Sequence, residues 1–281
     1  MRVALRDGTR IFFEVIGTKL AADGPTMRER PTLLLLHGGP GFDHSVLANT
    51  LSPLSDVAQL VLLDHRGQGR GRSDGDDIAQ WNLERWVPDI VEFCEALELE
   101  RPIILGQSFG GVVALAVAAR HSNLPSKLIV SSSLAKFRPD RAFPMFERLG
   151  GPGVREVAER HFRELSDESA EEFIRVALPV YNPKPMDPEV IARVRLKLEV
   201  GNHFFRNEGL TIDLFPELSN IRCPTLVLGG ELDPITPVAD SQDIAAAIPQ
   251  AEVRIVEGAG HGVFRDQPEE AIALIREFVL R

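Results

Sequence analysis

A serine hydroxyl attacks a carbonyl carbon only when a neighbouring base takes its proton, and one serine of this chain has a setting suited to that work. Residues Ile103-Ile104-Leu105-Gly106-Gln107-Ser108-Phe109-Gly110-Gly111 pass from an apolar strand pattern through G-x-S-x-G into a helical pattern. A sharp strand-to-helix turn strains the backbone at its serine, and the small residues Gly106 and Gly110 on either side leave room for it. The helix that follows points its positive dipole end at Ser108, and the Phe109 N–H becomes a donor to the oxyanion formed on attack. A glycine-flanked serine also occurs in ordinary loops, and it is the strand before and the helix after that favour the catalytic reading.

The base and its orienting acid are sought later in the chain. Of seven histidines, His261 alone follows a late strand, in Val256-Glu257-Gly258-Ala259-Gly260-His261-Gly262, where glycines suit a loop carrying the imidazole over the strand ends. In Thr225-Leu226-Val227-Leu228-Gly229-Gly230-Glu231-Leu232-Asp233-Pro234 a carboxylate stands just past a strand's C-terminal end. Asp233, fixed by Pro234 and Thr236-Pro237, is preferred to its neighbour Glu231 as the group that holds the histidine tautomer. His37-Gly38-Gly39-Pro40-Gly41 follows another apolar strand, and the Gly39 N–H is the expected second oxyanion donor. His37 itself reads as a structural hydrogen-bonding residue. The tract Asp64-His65-Arg66-Gly67-Gln68-Gly69-Arg70-Gly71-Arg72-Ser73-Asp74 has three glycines and three arginines but no Walker pattern, so it reads as a loop buttressing the site rather than a phosphate cradle.

Positioning these groups requires a sheet. Strand-like runs at 11–16, 32–36, 60–63, 102–105, 127–131, 225–228 and 252–256 alternate with helical patterns at 83–97, 110–121, 238–247 and 268–280. Together with a first strand before Asp7-Gly8, which opens a hairpin, they predict an α/β architecture with a mostly parallel eight-stranded sheet flanked by helices. The alternation stops between about 135 and 218, where helix-like stretches at 154–165, 170–178 and 188–200 predict an all-helical cap inserted into the sheet domain. The core is then 1–134 and 219–281, the cap 135–218, and Tyr181-Asn182-Pro183-Lys184-Pro185 a rigid turn between cap helices.

A net charge of −10 over 281 residues disfavours nucleic acid and anionic membrane surfaces as partners. No run approaches the roughly 18 apolar residues of a membrane helix, and none has signal-peptide character, so a cytoplasmic protein acting on a small molecule or short peptide is expected. Cys94 and Cys223 read as buried thiols. No metal or organic cofactor is expected, since H-E-x-x-H, a cysteine cluster and a nucleotide fingerprint are all missing from the sequence.

HGGPG at 37–41, D-x-R-G at 64–67, G-x-S-x-G at 106–110, the segment ending at Asp233 and the G-H at 260–261 together resemble the proline iminopeptidase branch of the α/β hydrolases. The likeness runs from about residue 31 to the end. It implies the α/β-hydrolase fold with a helical cap, and cleavage of an N-terminal residue, often proline, from short peptides. Asn202-His203-Phe204-Phe205 looks like that family's N-H-Y-F stretch, in which a glutamate just before the Asn binds the substrate's amino group. Here the position is Gly201, with Glu199 and Glu208 nearby, so Glu199, His203, Phe204 and Phe205 are the substrate-binding candidates the resemblance implies. Gln107 and Phe109 also depart from the Gly and Trp that often flank the family's serine. An aminopeptidase acting through an acyl-Ser108 is the first expectation. The rival is an esterase or lactonase taking a small uncharged acyl compound, because a pocket without carboxylates has no preference for an ammonium group. A serine nucleophile argues against epoxide hydrolase and dehalogenase chemistry, and a non-catalytic protein on the same fold would be expected to lack one of Ser108, Asp233 and His261.

Overall fold

Every residue of the Thr-Leu-Leu-Leu-Leu run at 32–36 is buried, and a strand with no wet face needs partners at both edges and a layer on each side. The computed structural model of the protein, which describes residues 1–70 and 77–281, supplies both. The strands are β1 Arg2–Ala4, β2 Arg10–Ile16, β3 Leu20–Asp23, β4 Thr26–Glu29, β5 Thr32–Leu36, β6 Gln59–Leu63, β7 Ile103–Gln107, β8 Lys127–Ser131, β9 Thr225–Gly230 and β10 Ala251–Val256. Eight of them form one sheet in the order β1-β2-β6-β5-β7-β8-β9-β10. Only the β1–β2 and β2–β6 pairs are antiparallel, and the remainder of the sheet is parallel. The exposed hairpin β3–β4 stands apart; its strands have no buried residue and so leave no alternating pattern to read.

The period-two geometry of a strand sends alternate leucines to opposite faces. Leu34 and Leu36 join the core formed with helices α2 Leu83–Ala96 and α3 Phe109–Arg120, while Leu33 and Leu35 pack with α1 Ser45–Leu51 and the C-terminal helix. Helix α3 is buried at every residue but its last, which accounts for its uniformly apolar sequence. Strand order reverses between β5 and β7, because β5 is followed by β6 on one side and β7 lies on the other. At such a switch point the loops leaving the two strands diverge and open a crevice at their carboxyl ends. Leu36 pairs with Gly106 at that rim, which brings the loop after β5 beside the turn after β7.

Between β8 and β9 the described chain is helical: α4 Pro139–Gly150, α5 Pro152–Glu164, α6 Asp167–Val176, α7 Pro188–Arg193, α8 Leu198–Phe204 and α9 Phe215–Leu218. Its two ends meet, with the Leu214 N–H donating to Ala135 O at 2.9 Å and Lys136 paired with Asp213. Phe137, Phe146, Phe162 and Phe173 give it an apolar cluster of its own. Two departures from the sequence reading have physical causes. Helix α4 carries Pro144 in its interior, which in sequence reads as a breaker. The single helix expected over 188–200 is instead broken after Arg193, where the Arg195 N–H turns to Asp43 and the Lys197 N–H to Gly41 O (3.3 and 2.8 Å). The sheet domain ends with α10 Val238–Ala247, α11 Val263–Asp266 and α12 Pro268–Leu280. No described helix is long and apolar enough to cross a membrane. Cys94 and Cys223 are both free and buried.

Arg141 of α4 ties the insertion to α10 through Asp240 and Asp243 (2.6 and 2.7 Å). Asp240 is 4% exposed, one of its oxygens finds no partner among the described residues, and burial pushes its carboxyl up to about 6 against the pull of Arg141. Because the folded value lies above the ordinary one, this group's contribution to stability is complete below about pH 4 and is lost as pH rises through about 6. The Tm of the wild type, measured against Asp240→Asn by scanning calorimetry, should therefore fall between about pH 5 and about pH 7.5. Parallel curves for the two proteins would contradict this reading.

Candidate active site

The turn from β7 into α3 consists of one residue, Ser108, at φ +54° and ψ −121°, a region that L-residues avoid. The chain tolerates it because of what flanks it. A Cβ on Gly106 would fall on the Gly110 backbone, and a Cβ on Gly110 would fall on the carbonyls of Leu36 and His37. The Ser108 N–H donates to Ser131 O at 2.9 Å, and the Ser133 hydroxyl donates to Ser108 O at 2.7 Å. Ser133 was not identifiable in sequence, where it is one of three consecutive serines.

Gly230, the last residue of β9, pairs with Val256, the last of β10, so the loops bearing Asp233 and His261 leave neighbouring strand ends. His261 Nε2 lies 2.9 Å from Ser108 Oγ, and its Nδ1 lies 2.8 Å from Asp233 Oδ2. Asp233 is fully buried and its other contacts are all donors: the N–H groups of Ile235 and Thr236 (each 3.0 Å) and the Thr236 hydroxyl (2.6 Å). An acceptor-only carboxylate requires a proton on His261 Nδ1, which leaves the Nε2 lone pair facing the Ser108 hydroxyl. Glu231 is exposed and instead accepts from the Gly258 N–H at 2.9 Å.

The loop after β5 closes on the serine. A Cβ on Gly38 would lie 3.1 Å from Ser108 Cβ, and Gly39 adopts φ +127°, open only to glycine. Gln68 holds the far end of the loop by accepting from the Gly41 N–H at 2.7 Å. The Phe109 N–H is the first of α3, where a donor has no preceding helical carbonyl to accept it. His37 donates from Nδ1 to Gly38 O (2.7 Å) and accepts at Nε2 from the His65 N–H (3.2 Å); both nitrogens are occupied, and burial above all lowers its basicity. In the tract at 64–74, Arg66 makes a two-pronged bond to Asp89 (2.7 Å each) and reaches Asp7, while Asp64 accepts from the His44 and Arg70 N–H groups. These contacts brace the loops beneath the site. The part of that tract from 71 to 74 lies outside the described residues.

The candidates from the insertion separate. The buried Phe204 ring meets Phe109 edge-on at 5.3 Å and thus stands behind an expected oxyanion donor, while Phe205 packs on Phe162 at 5.6 Å. His203 lies edge-on to Trp81 at 6.0 Å and is held by Asn207. Glu199 is exposed and makes no hydrogen bond or ion pair with the described residues. Gly201 faces the loop after β5, since a Cβ there would lie 3.1 Å from Pro40 O. Glu208 caps the start of α2 by accepting from the Leu83 N–H at 2.6 Å. The segment at 181–185 lies between helical elements of the insertion and also runs against the histidine loop, with Tyr181 O accepting from the His261 N–H at 2.7 Å.

A serine on a strained strand-to-helix turn, bonded to a histidine that is bonded in turn to a carboxylate at the rim of a mostly parallel sheet, defines the hydrolase class of α/β folds. The chain belongs to the α/β-hydrolase fold family, whose family model matches residues 31–268, and it is a hydrolase. It is 27% identical to the proline iminopeptidase of Lactobacillus helveticus (strain DPC 4571), over 97% of this chain and 95% of that one. Among solved structures it is similar to a thermophilic esterase from Thermogutta terrifontis, with 28% identity, a TM-score of 0.72 and coverage of 99% and 98% of the two chains. The proline iminopeptidase of Mycobacterium smegmatis shares the fold, with a TM-score of 0.79 at 22% identity over 99% and 97% of the chains.

Proposed function

We propose that the protein hydrolyses small acyl compounds through a covalent acyl-Ser108, with His261 as base and Asp233 as its orienting acid. The observation that carries this is the relay of two hydrogen bonds, 2.9 and 2.8 Å, from Ser108 to His261 to Asp233. Ser108 Oγ attacks the carbonyl carbon as its proton passes to His261 Nε2, and the electron pair of the C=O bond moves to oxygen. The Gly39 and Phe109 N–H groups receive that oxyanion. The tetrahedral centre collapses, the leaving group departs with the proton from Nε2, and a water deprotonated by the same nitrogen then releases the acid and restores Ser108. Residues 135–218 act as a cap over a core of 1–134 and 219–281, and the protein works in the cytoplasm.

For the substrate, the reading best supported is an ester, lactone or related compound with an uncharged acyl group. An ammonium group needs a carboxylate to receive it, and at the place where the resemblance would put one the residue is Gly201; Glu208 is bonded to Leu83, and Glu199 stands exposed. The neighbouring Phe204 and Phe205 are apolar and pack on Phe109 and Phe162. The second reading, an aminopeptidase, draws on the 27% identity to a proline iminopeptidase over nearly the whole chain. Alanyl and propionyl arylamides differ chiefly in the ammonium group, so comparing them with a prolyl arylamide and a short-chain aryl ester on one sample separates the two. Hydrolysis of the ester with no gain from the ammonium group is expected. A preference for the free-amine arylamides of roughly 100-fold or more would select the aminopeptidase.

A further inference from the structure

Three consecutive N–H groups of the histidine loop each have an acceptor, and two of the three acceptors belong to the insertion. Gly260 N–H donates to Asp266 Oδ2 at 2.9 Å, His261 N–H to Tyr181 O at 2.7 Å, and Gly262 N–H to Asn182 Oδ1 at 2.6 Å. We infer that Asn182 is a positioning residue for His261, through which the helical insertion sets the aim of the base. This rests on the reading of Ser108, Asp233 and His261 given under the proposed function.

The backbone around the contact is built for close approach. A Cβ on Gly260 would collide with Tyr181 O, and one on Gly262 would stand 2.8 Å from Asn182 Oδ1, so both glycines beside His261 are the clearance the strap needs. Asn182 is extended (φ −146°, ψ 134°), the conformation that the following Pro183 imposes on its neighbour. Beyond the proline, the Lys184 N–H donates to Asp266 Oδ1 at 3.3 Å and its ammonium to Asp266 O, so the strap also secures the residue that holds Gly260. On the other side the Tyr181 ring lies edge-on to the His261 ring at 5.2 Å and packs against Phe146 and Phe173, inside the apolar cluster of the insertion. The imidazole is thereby fixed from two directions: Asp233 sets its tautomer, and the Tyr181–Asn182 strap sets where its backbone stands. Glycine-rich loops do not hold a position by themselves, and a general base has to sit within a few tenths of an ångström of its hydrogen-bonding distance.

The test compares Asn182→Ala, Asn182→Asp and Ser108→Ala on the same aryl ester, with Tm measured for each. Asn182→Ala is expected to lower kcat on the order of 10- to 100-fold, the cost of a misplacement near 1 Å, with KM within about twofold of the wild type. Asn182→Asp keeps an acceptor for the Gly262 N–H, and should recover most of the loss. A wild-type kcat in Asn182→Ala, or an Asp variant as impaired as the Ala variant, overturns the role of Asn182 while Ser108→Ala remains inactive. Activity in Ser108→Ala would instead sink the underlying reading. If Asn182→Ala does not fold, amide hydrogen exchange on the wild type decides: Gly262 should exchange slowly, and exchange at the rate of a free loop amide would refute the contact.

Discussion

Ser108→Ala is expected to fold with the Tm of the wild type and to lose roughly five to six orders of magnitude in kcat for any activated ester. Stability should hold because alanine meets the same steric strain at φ +54° as serine, and the hydrogen bonds that fix the turn, from Ser108 N–H to Ser131 and from Ser133 to Ser108 O, are made by the backbone of residue 108. Activity should vanish because, among the described residues, Ser108 Oγ is the hydroxyl bonded to His261 Nε2. Ser133, which stands against the same turn, spends its proton on Ser108 O. What remains is the background supplied by the oxyanion donors acting on water.

Asp233→Asn should cost on the order of 10⁴ in kcat by a different route. The amide oxygen of asparagine can still accept from the Ile235 and Thr236 N–H groups, which turns its NH₂ toward Thr236 Oγ and His261 Nδ1. An NH₂ facing Nδ1 requires that nitrogen to accept, so the ring proton moves to Nε2 and points at Ser108, where it blocks the transfer it should receive. Glu231→Gln is the control. Its carboxylate serves the Gly258 N–H, a glutamine oxygen can do the same, and a loss of no more than about threefold is expected. Should Glu231→Gln prove the more damaging change, the acid has been misassigned.

The parts of the site legible in the sequence are those whose chemistry and sterics are local. Gly106 and Gly110 are demanded by a turn made within five residues, and the strand preceding Ser108 announces itself by its apolar run. Strand positions were readable for the same reason, since β5 to β9 are buried almost throughout and their leucines and valines leave no ambiguity about what they need, while the edge strand β10 keeps an apolar–polar alternation. What escaped was set by partners distant in sequence. The break between α7 and α8 follows from two N–H groups turning to Gly41 and Asp43, some 150 residues earlier in the chain. Asn182 is an ordinary turn residue until its oxygen is found on the Gly262 N–H, 80 positions away. The hairpin β3–β4 was missed for the opposite reason: it buries nothing, and so the sequence carries no hydrophobic period there. Gly201 stands between these cases. Its identity could be read, but that it faces Pro40 O on the loop after β5 could not.

The claim on which the mechanism depends is that hydrolysis passes through a covalent bond to Ser108, and a phosphonate aryl ester tests it most directly, because the serine that attacks phosphorus cannot then be released by water. Intact-mass analysis after inactivation should show one phosphonyl group per chain, with peptide mapping placing it on Ser108 and ester turnover lost in proportion to labelling. Continued turnover by protein labelled fully at Ser108, or inactivation with the label on another residue, would contradict it.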